Sequence, residues 1–310
     1  MKRQRPAGEE ASAYWDGLKL AGGLGEILIT IYSDGLGRLA LGLGICLFFA
    51  YLSNRLKVVD LSGAIASLAV GIPVFSLGGW KWFLILLVFF TGAAGFTKFK
   101  YEAKRRKGAA QEKGGARAWT NVLGNGGAAV AMAALEFLSI SGGASSADIF
   151  LAGFLGAVST TTADTLATEI GLLYPHDPRL IVSLRKRVPP GTSGGVTPLG
   201  ESAAIASSLL IGAVAWALQI ADWSLTRFVF LTLSSGLLGS LLDSLLGATV
   251  QGVFQCDVCG KISENEKHCG VTSRLVRGKR SFQNSAVNLV ASVGGGAIAC
   301  LMHLVALRSL

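Results

Sequence analysis

Charge is what this sequence has least of: 15% of its 310 residues are Asp, Glu, Lys or Arg, where a globular domain carries roughly 25%. With 51% hydrophobic residues and a mean hydropathy of +0.53, that shortage excludes an ordinary soluble domain. Other things are missing too. No G-x-x-x-x-G-K-[ST] run occurs, so there is no Walker A loop. Neither a Ser/His/Asp arrangement nor a recognisable nucleotide-binding domain is present. No A-x-A cleavage pattern follows the first apolar stretch, which argues against a signal peptide. A disulfide framework is also disfavoured, because the five cysteines (Cys46, Cys256, Cys259, Cys269, Cys300) are an odd set with three in one loop, a pattern that favours a metal.

What is present is a series of apolar segments at 36–52, 61–77, 80–96, 119–140, 149–173, 199–220, 228–250 and 285–307. Their lengths suit a hydrocarbon core of about 30 Å, so the sequence predicts an all-α, polytopic transmembrane helix bundle of about eight spans. Residues 1–35 read as a polar, interfacial extension and 36–307 as one integral membrane domain. The net charge of +9 could suit nucleic acid, but its basic residues collect in alternate loops. Loop 97–118 holds Lys98, Lys100, Lys104, Arg105, Arg106, Lys107, Lys113 and Arg117; loop 174–198 holds Arg179, Arg185, Lys186 and Arg187; loop 251–284 holds six more. Loop 141–148 has none. The positive-inside rule then puts the basic loops in the cytoplasm, and the charge reports topology and contact with membrane lipids, with no nucleic acid as partner.

Ionisable residues inside a membrane are costly and by default mark function. Asp164 and Glu169 lie in STTTADTLATEIG and Asp243 in GLLGSLLDSLLGATVQ, all toward the basic face. Glu169 stands five residues after Asp164, which turns it about 140° away on a helix, so the two need not touch. A plainer role for these acids is pairing with Lys or Arg across helices. His176 and His303 lack evident partners, and the opposite halves of the segments hold almost nothing ionisable.

The loop VPPGTSGGVTPLGE places Gly191, Gly194 and Gly195 around Thr192 and Ser193 just before a helix. Glycines let backbone N–H groups converge and a helix N-terminus adds its dipole, the makings of an anion cradle, although such a loop can also be only a turn. Arg185, Lys186 and Arg187 precede it, favouring a phosphate-bearing ligand. For the 104–107 cluster, attraction to anionic headgroups is an equal reading. Asn121 with Asn125, and Asn284 with Asn288, are i, i+4 pairs that present amides on one helix face, for a ligand or for interhelical bonding. In the cytoplasmic loop 251–284, Cys256-Asp-Val-Cys259-Gly260 followed by His268-Cys269-Gly270 is a knuckle pattern for structural Zn²⁺, provided the backbone bends between His268 and Cys269.

Taken in order, Val59-Asp60-Leu61-Ser62-Gly63, KGGARAWTNVLGNGG, ADTLATEIG, VPPGTSGGVTPLGE, GSLLDSLLGATVQ, CDVCGKISENEKHCG and FQNSAVNLVAS resemble the membrane family called domain of unknown function 92, in its prokaryote-like branch, over residues 36–307. That family includes transmembrane protein 19 and the phytyl-phosphate kinases. Its motif residues map onto Asp60, Gly63, Arg117, Trp119, Asn125, Asp164, Thr165, Glu169, Pro189, Gly191, Thr192, Gly194, Gly195, Asp243, Gly247, Gln251, Asn284 and Asn288. Two positions depart from it: Gly124 replaces the usual Ala or Cys, and Gln283 stands where Asp or Asn is common. The resemblance implies phosphoryl transfer from a nucleotide, CTP in the phytyl-phosphate kinases, to an isoprenoid monophosphate. It implies Mg²⁺ on Asp164, Glu169 and Asp243, and phosphates held by Arg117 or Arg187 and by Gly191 to Gly195. It also implies a multi-pass protein of a prokaryotic cell membrane, or of a chloroplast membrane in a phototrophic eukaryote.

A transporter or flippase for a small anion or isoprenoid phosphate would use the same features. Depth separates the two: alternating access lines a path to both faces, whereas the candidate residues here gather at one. A non-catalytic scaffold would leave the three acids unexplained.

Overall fold

The computed structural model describes residues 35–111, 113–143 and 148–308. The expected extension at 1–35 lies outside the described residues except for its last position. Eight helices are long and apolar enough to cross a membrane, matching the eight apolar segments. They are α1 (Gly35–Arg55), α2 (Leu61–Pro73, extended to Gly78 by a π-turn), α3 (Trp80–Lys98), a short α4 (Tyr101–Arg106) between spans, α5 (Trp119–Ser141), α6 (Asp148–Gly171), α7 (Pro198–Ala217), α8 (Leu225–Thr249) and α9 (Asn284–Arg308). Helix ends follow local chemistry. Thr197 and Ser224 cap α7 and α8 by accepting from Gly200 and Arg227 N–H, satisfying amides that a helix start leaves orphaned. Gly79, at φ 92°, makes the reversal between α2 and α3, a conformation few other residues adopt.

The centre of the bundle is α6, 83% buried over its core window, against 17% for α1 at the periphery. Small residues make that centre possible. A methyl on Gly239 or Gly295 would overlap Thr160, and one on Gly236 would overlap Ser159 and Ser208. The hydroxyls left inside bond to backbone: Ser159 Oγ donates to Thr232 O at 2.7 Å and Thr160 Oγ1 to Ser235 O at 2.9 Å. Close backbone approach and side-chain hydrogen bonding are what associate helices in lipid, where burial of apolar surface gives no driving force.

The basic loops carry small sheets that an all-α reading did not include. Strands β1 (Arg179–Leu180), β2 (Ser183–Arg187) and β3 (Gly195–Val196) pair antiparallel in the order β2-β1-β3. After α8, β4 (Val253–Gln255), β5 (Ile262–Ser263) and β8 (Arg274–Arg277) form a second sheet, and β6 (Lys267–His268) pairs with β7 (Val271–Thr272). Pieces of two to five residues have no periodicity to read.

Candidate functional site

The basic-loop ends of the helices and the two sheeted loops enclose a cleft of about 750 Å³. Arg117, Asn121, Asn125, Asp164, Glu169, Arg187, Gly191 to Gly195, Asp243, Gln251, Asn284 and Asn288 all line it. The cysteine–histidine set does not; it lies on the loop beyond.

Asp164 from α6 and Asp243 from α8 meet at hydrogen-bonding range. Asn288 from α9 sits against them. Its amide nitrogen, turned toward α8, donates to Asp243 Oδ2 at 3.2 Å and to Asn284 O at 2.9 Å; turned the other way it reaches Asn125 Oδ1 at 3.1 Å. Asn125 in turn donates to Asn121 O at 2.7 Å. The Asn288 amide thus lies between Asn125 and Asp243 and bonds to one or the other according to its orientation, while Asn121 and Asn284 contribute only their backbone carbonyls.

Glu169 has a different neighbourhood. Lys104 Nζ lies 2.6 Å from its Oε2, with both side chains almost fully buried, and Thr97 Oγ1 donates to its Oε1 at 2.9 Å. Both oxygens are engaged, and the Lys104 partner is the cross-helix pairing weighed for these acids. Lys104 is correspondingly not a surface charge of the 104–107 cluster, and Lys107 donates to Leu172 O and Tyr174 O at 2.9 and 2.6 Å.

The third acid near the Asp pair is one that the sequence did not single out. Glu264, in the loop between β5 and β6, interacts electrostatically with both Asp164 and Asp243. Ser193 of the glycine-rich loop donates to its Oε1 at 2.6 Å. Burial pushes the Glu264 carboxyl above the usual carboxylate range, and Ser193, Gln251 and Arg277 oppose that shift. Two carboxylates in contact with a third nearby need a shared proton or a cation. Arg117 is a cation whose field reaches Asp164; burial lowers its pKa, and the fields of Glu169 and Asp164 oppose the lowering.

Arg117 is held by its backbone. Its N–H donates to Val58 O and its carbonyl accepts from Asp60 N–H, at 3.0 and 3.1 Å. Asp60 Oδ1 caps α2 through Gly63 N–H at 3.0 Å, and a methyl on Gly63 would overlap the Arg117 carbonyl. Asp60 and Gly63 are therefore positioning residues for the Arg117 strand.

In the glycine-rich loop, Gly191 and Gly194 take positive φ, 80° and 79°, and a side chain on Gly194 would overlap α8 at Ala248 and Ser244. Thr192 and Gly195 N–H groups close turns onto Pro189 O and Thr192 O. The α7 N-terminus behind it is already provided for, by the Thr197 cap and by Glu201 in its first turn. An anion here would meet the loop with Lys186, Arg187, Lys261 and Arg277, which share the cleft.

Beyond the cleft, one ligand atom each from Cys256, Cys259, His268 and Cys269 lies within 4.8 Å of all the others. His268 Nδ1 is 3.4 Å from Cys259 Sγ and 3.2 Å from Cys269 Sγ. Bond lengths of about 2.3 Å to sulfur give a tetrahedron with edges of about 3.8 Å, close to the two His268 distances and about an ångström inside the widest separation. The bend needed between His268 and Cys269 is supplied by positive φ at Cys269 (51°) and Gly270 (76°). Backbone and side-chain donors, the Cys259 N–H first, draw the Cys256 thiol down to about 6, while its thiol neighbours push Cys269 up to about 11. The cluster could hold a metal ion with every protein position filled.

At the opposite helix ends the structure corrects the expectation of few ionisable groups. Glu136 is buried there near Asp148. His303, expected to lack partners, has Arg227 Nη2 at 3.2 Å and the Trp223 ring at 4.9 Å.

The profile of a family described as integral membrane protein DUF92 matches residues 44–296. The chain is 32% identical over 271 residues to Protein PGR of Arabidopsis thaliana, spanning 82% of this chain and 92% of that protein. An uncharacterized membrane protein of Methanocaldococcus jannaschii is 26% identical over 266 residues, 86% of this chain and 94% of its own. Protein VTE6, chloroplastic, of A. thaliana is 30% identical over 165 residues, 53% of this chain and 49% of that protein. No solved structure matches the chain.

Proposed function

Since the chain belongs to the integral membrane family DUF92, we propose that it is a membrane-embedded phosphotransferase of the prenyl-phosphate kinase type. The observation that carries the reading is the convergence of Asp164, Asp243 and Glu264 with Arg117 and Arg277 in one cleft at the basic face. The resemblance to phytyl-phosphate kinases supplies the reaction. A terminal phosphate oxygen of an isoprenoid monophosphate bonds to the γ-phosphorus of a nucleotide, CTP by that resemblance. The bond to the β-phosphate oxygen breaks, and the products are a prenyl diphosphate and a nucleoside diphosphate.

Little covalent work falls to the protein in such a transfer; positioning and charge neutralisation do most of it. Asp164 and Asp243, with Glu264, are the oxygen donors suited to Mg²⁺, which would supply neutralisation of charge on the transferring group. Glu169, tied to Lys104, is not among them. Arg117, Arg187 and Arg277 would bind phosphates, the Gly191 to Gly195 loop would give them the backbone N–H groups that its turns at Thr192 and Gly195 leave over, and Asn288 would fix the orientation of Asp243. Cys256, Cys259, His268 and Cys269 would hold structural Zn²⁺, fastening both ends of the loop that carries Glu264.

The transporter reading needs a route through the bundle. Among the described residues, α6 is closed at its centre by contacts of Gly236, Gly239 and Gly295, which favours a one-sided site. Purified protein incubated with labelled CTP, Mg²⁺ and a panel of prenyl monophosphates tests the proposal. Label in a prenyl diphosphate is the expected result. Movement of a labelled anion across vesicles with no CTP consumed would replace the kinase reading by the transporter one.

A further inference from the structure

The cleft does not end at its polar floor. A second, smaller groove of about 80 Å³ runs from it along α1, α2, α3 and α5, and the two cavities share Arg117, Asn121 and Asn125 as wall residues. Beyond those three the lining is apolar except for Ser53 and Ser67, with Phe49, Ala50, Val70, Phe83, Leu86 and Phe90 among its walls. Cys46 and Gly71 also line it and stand near the middles of their spans, so the groove descends toward the bilayer interior while the cleft faces the basic loops.

A ligand filling both cavities must be anionic at one end and hydrocarbon at the other, with the change of polarity at Arg117 and Asn121. We propose that this groove is the subsite for the proximal hydrocarbon of a single-chain isoprenoid monophosphate whose phosphate lies in the cleft; the inference rests on the phosphotransferase reading and locates its acceptor. The dimensions suit the first few carbons of the chain. A longer tail would continue past α1, the least buried span, into lipid, where a hydrocarbon needs no protein wall. Arg117 sets the register: its guanidinium meets the phosphate and its stem lies against the chain, an amphipathic placement that long basic side chains favour. Burial of the methylenes against Phe49, Phe83 and Phe90 adds affinity for a prenyl chain that a tail-free phosphate ester lacks.

The test is photolabelling of the full chain in detergent micelles, without nucleotide, using farnesyl monophosphate that carries a diazirine on its first isoprene unit. Adducts are expected on α1 and α3, at Phe49, Ala50 or Phe90, competed by unlabelled farnesyl monophosphate and far less by farnesol. Ala50→Phe should fill the groove and lower that labelling at least tenfold, and Ser67→Leu, on the α2 wall, is a second variant should the first not fold. Adducts scattered over lipid-facing positions such as Leu245 or Val293, equal competition by farnesol, or unchanged labelling of both folded variants would overturn the subsite. The two proposals fail separately. Groove labelling by a protein that never consumes CTP defeats the kinase reading alone, whereas turnover of prenyl phosphates with adducts elsewhere defeats the groove alone.

Discussion

Ser193 donates its hydroxyl to Glu264 Oε1 at 2.6 Å, joining the glycine-rich loop before α7 to the knuckle loop after α8. The bond ties together two loops that line the cleft with Asp164 and Asp243, and the loop acid acts electrostatically on both. Glu264→Gln keeps the hydrogen bond and removes the charge. On the proposed reading, kcat should fall on the order of 100-fold, the scale of losing one electrostatic contact to a transition state, and the Mg²⁺ needed for half-maximal rate should rise. Ser193→Ala should cost about tenfold, in line with roughly 1.5 kcal/mol for a hydrogen bond to a charged group. Equal rates for Glu264→Gln and wild type across a Mg²⁺ titration would remove Glu264 from the site.

The same residue gives a pH dependence with a definite sign. Burial raises the Glu264 carboxyl above its ordinary value. For the metal-free protein, an acid raised on folding contributes stability at pH below its unfolded pKa, and that contribution is lost as pH rises through the folded one. Cation binding requires the charged form, so Mg²⁺ affinity should climb through the same interval. Isothermal titration across a pH series should show this limb in wild type and a flatter one in Glu264→Gln.

At the knuckle the sign is opposite. Cys256 is lowered to about 6 and Cys269 raised to about 11. The Cys256 shift contributes stability that is complete above its unfolded pKa and lost as pH falls through about 6. Zinc binding near neutrality should release a proton from Cys269 and weaken as pH drops through about 6, where Cys256 takes its proton back. Proton release measured by calorimetry in buffers of different ionisation enthalpy checks the first, and metal content after dialysis the second. Cys259→Ser should lose most of the zinc and should also loosen Glu264, seen as faster hydrogen exchange in the loop between β5 and β6.

Apolar runs placed all eight spans to within a few residues, because a lipid-spanning helix announces itself by length and hydropathy alone. Spacing also separated Asp164 from Glu169, and the structure gives them different partners: Asp243 for one, Lys104 for the other. What stayed hidden is pairing across distant segments. Lys104 is one of four consecutive basic residues and Glu264 one of several polar residues in a loop, so neither stands out until folding buries it. The Lys104 and Glu169 pair should be structural. Lys104→Gln strands a buried carboxylate and should cost about 3–5 kcal/mol, read as a lower melting temperature in detergent. Lys104→Met with Glu169→Met should recover most of that loss, an outcome a catalytic Glu169 would not permit with full turnover.

Asp243 carries the sharpest separation between folding and function. Its carboxyl meets Asp164 on one side and the Asn288 amide on the other, so Asp243→Asn preserves size and hydrogen-bonding capacity while deleting the charge. Folding should survive, because an amide is easier to bury in a membrane than a carboxylate and repulsion from Asp164 and Glu264 is relieved. Kinase turnover should nevertheless fall by about 100-fold or more, since an amide is a poor substitute for a charged oxygen ligand to Mg²⁺. Asn288→Ala removes only the orienting amide and should lower kcat by about tenfold with the metal requirement little changed. The two variants therefore separate charge from orientation. Wild-type turnover by Asp243→Asn on every prenyl phosphate tested would show that the acid pair serves packing alone, and the cleft would then need another explanation for bringing two carboxyls together inside a membrane.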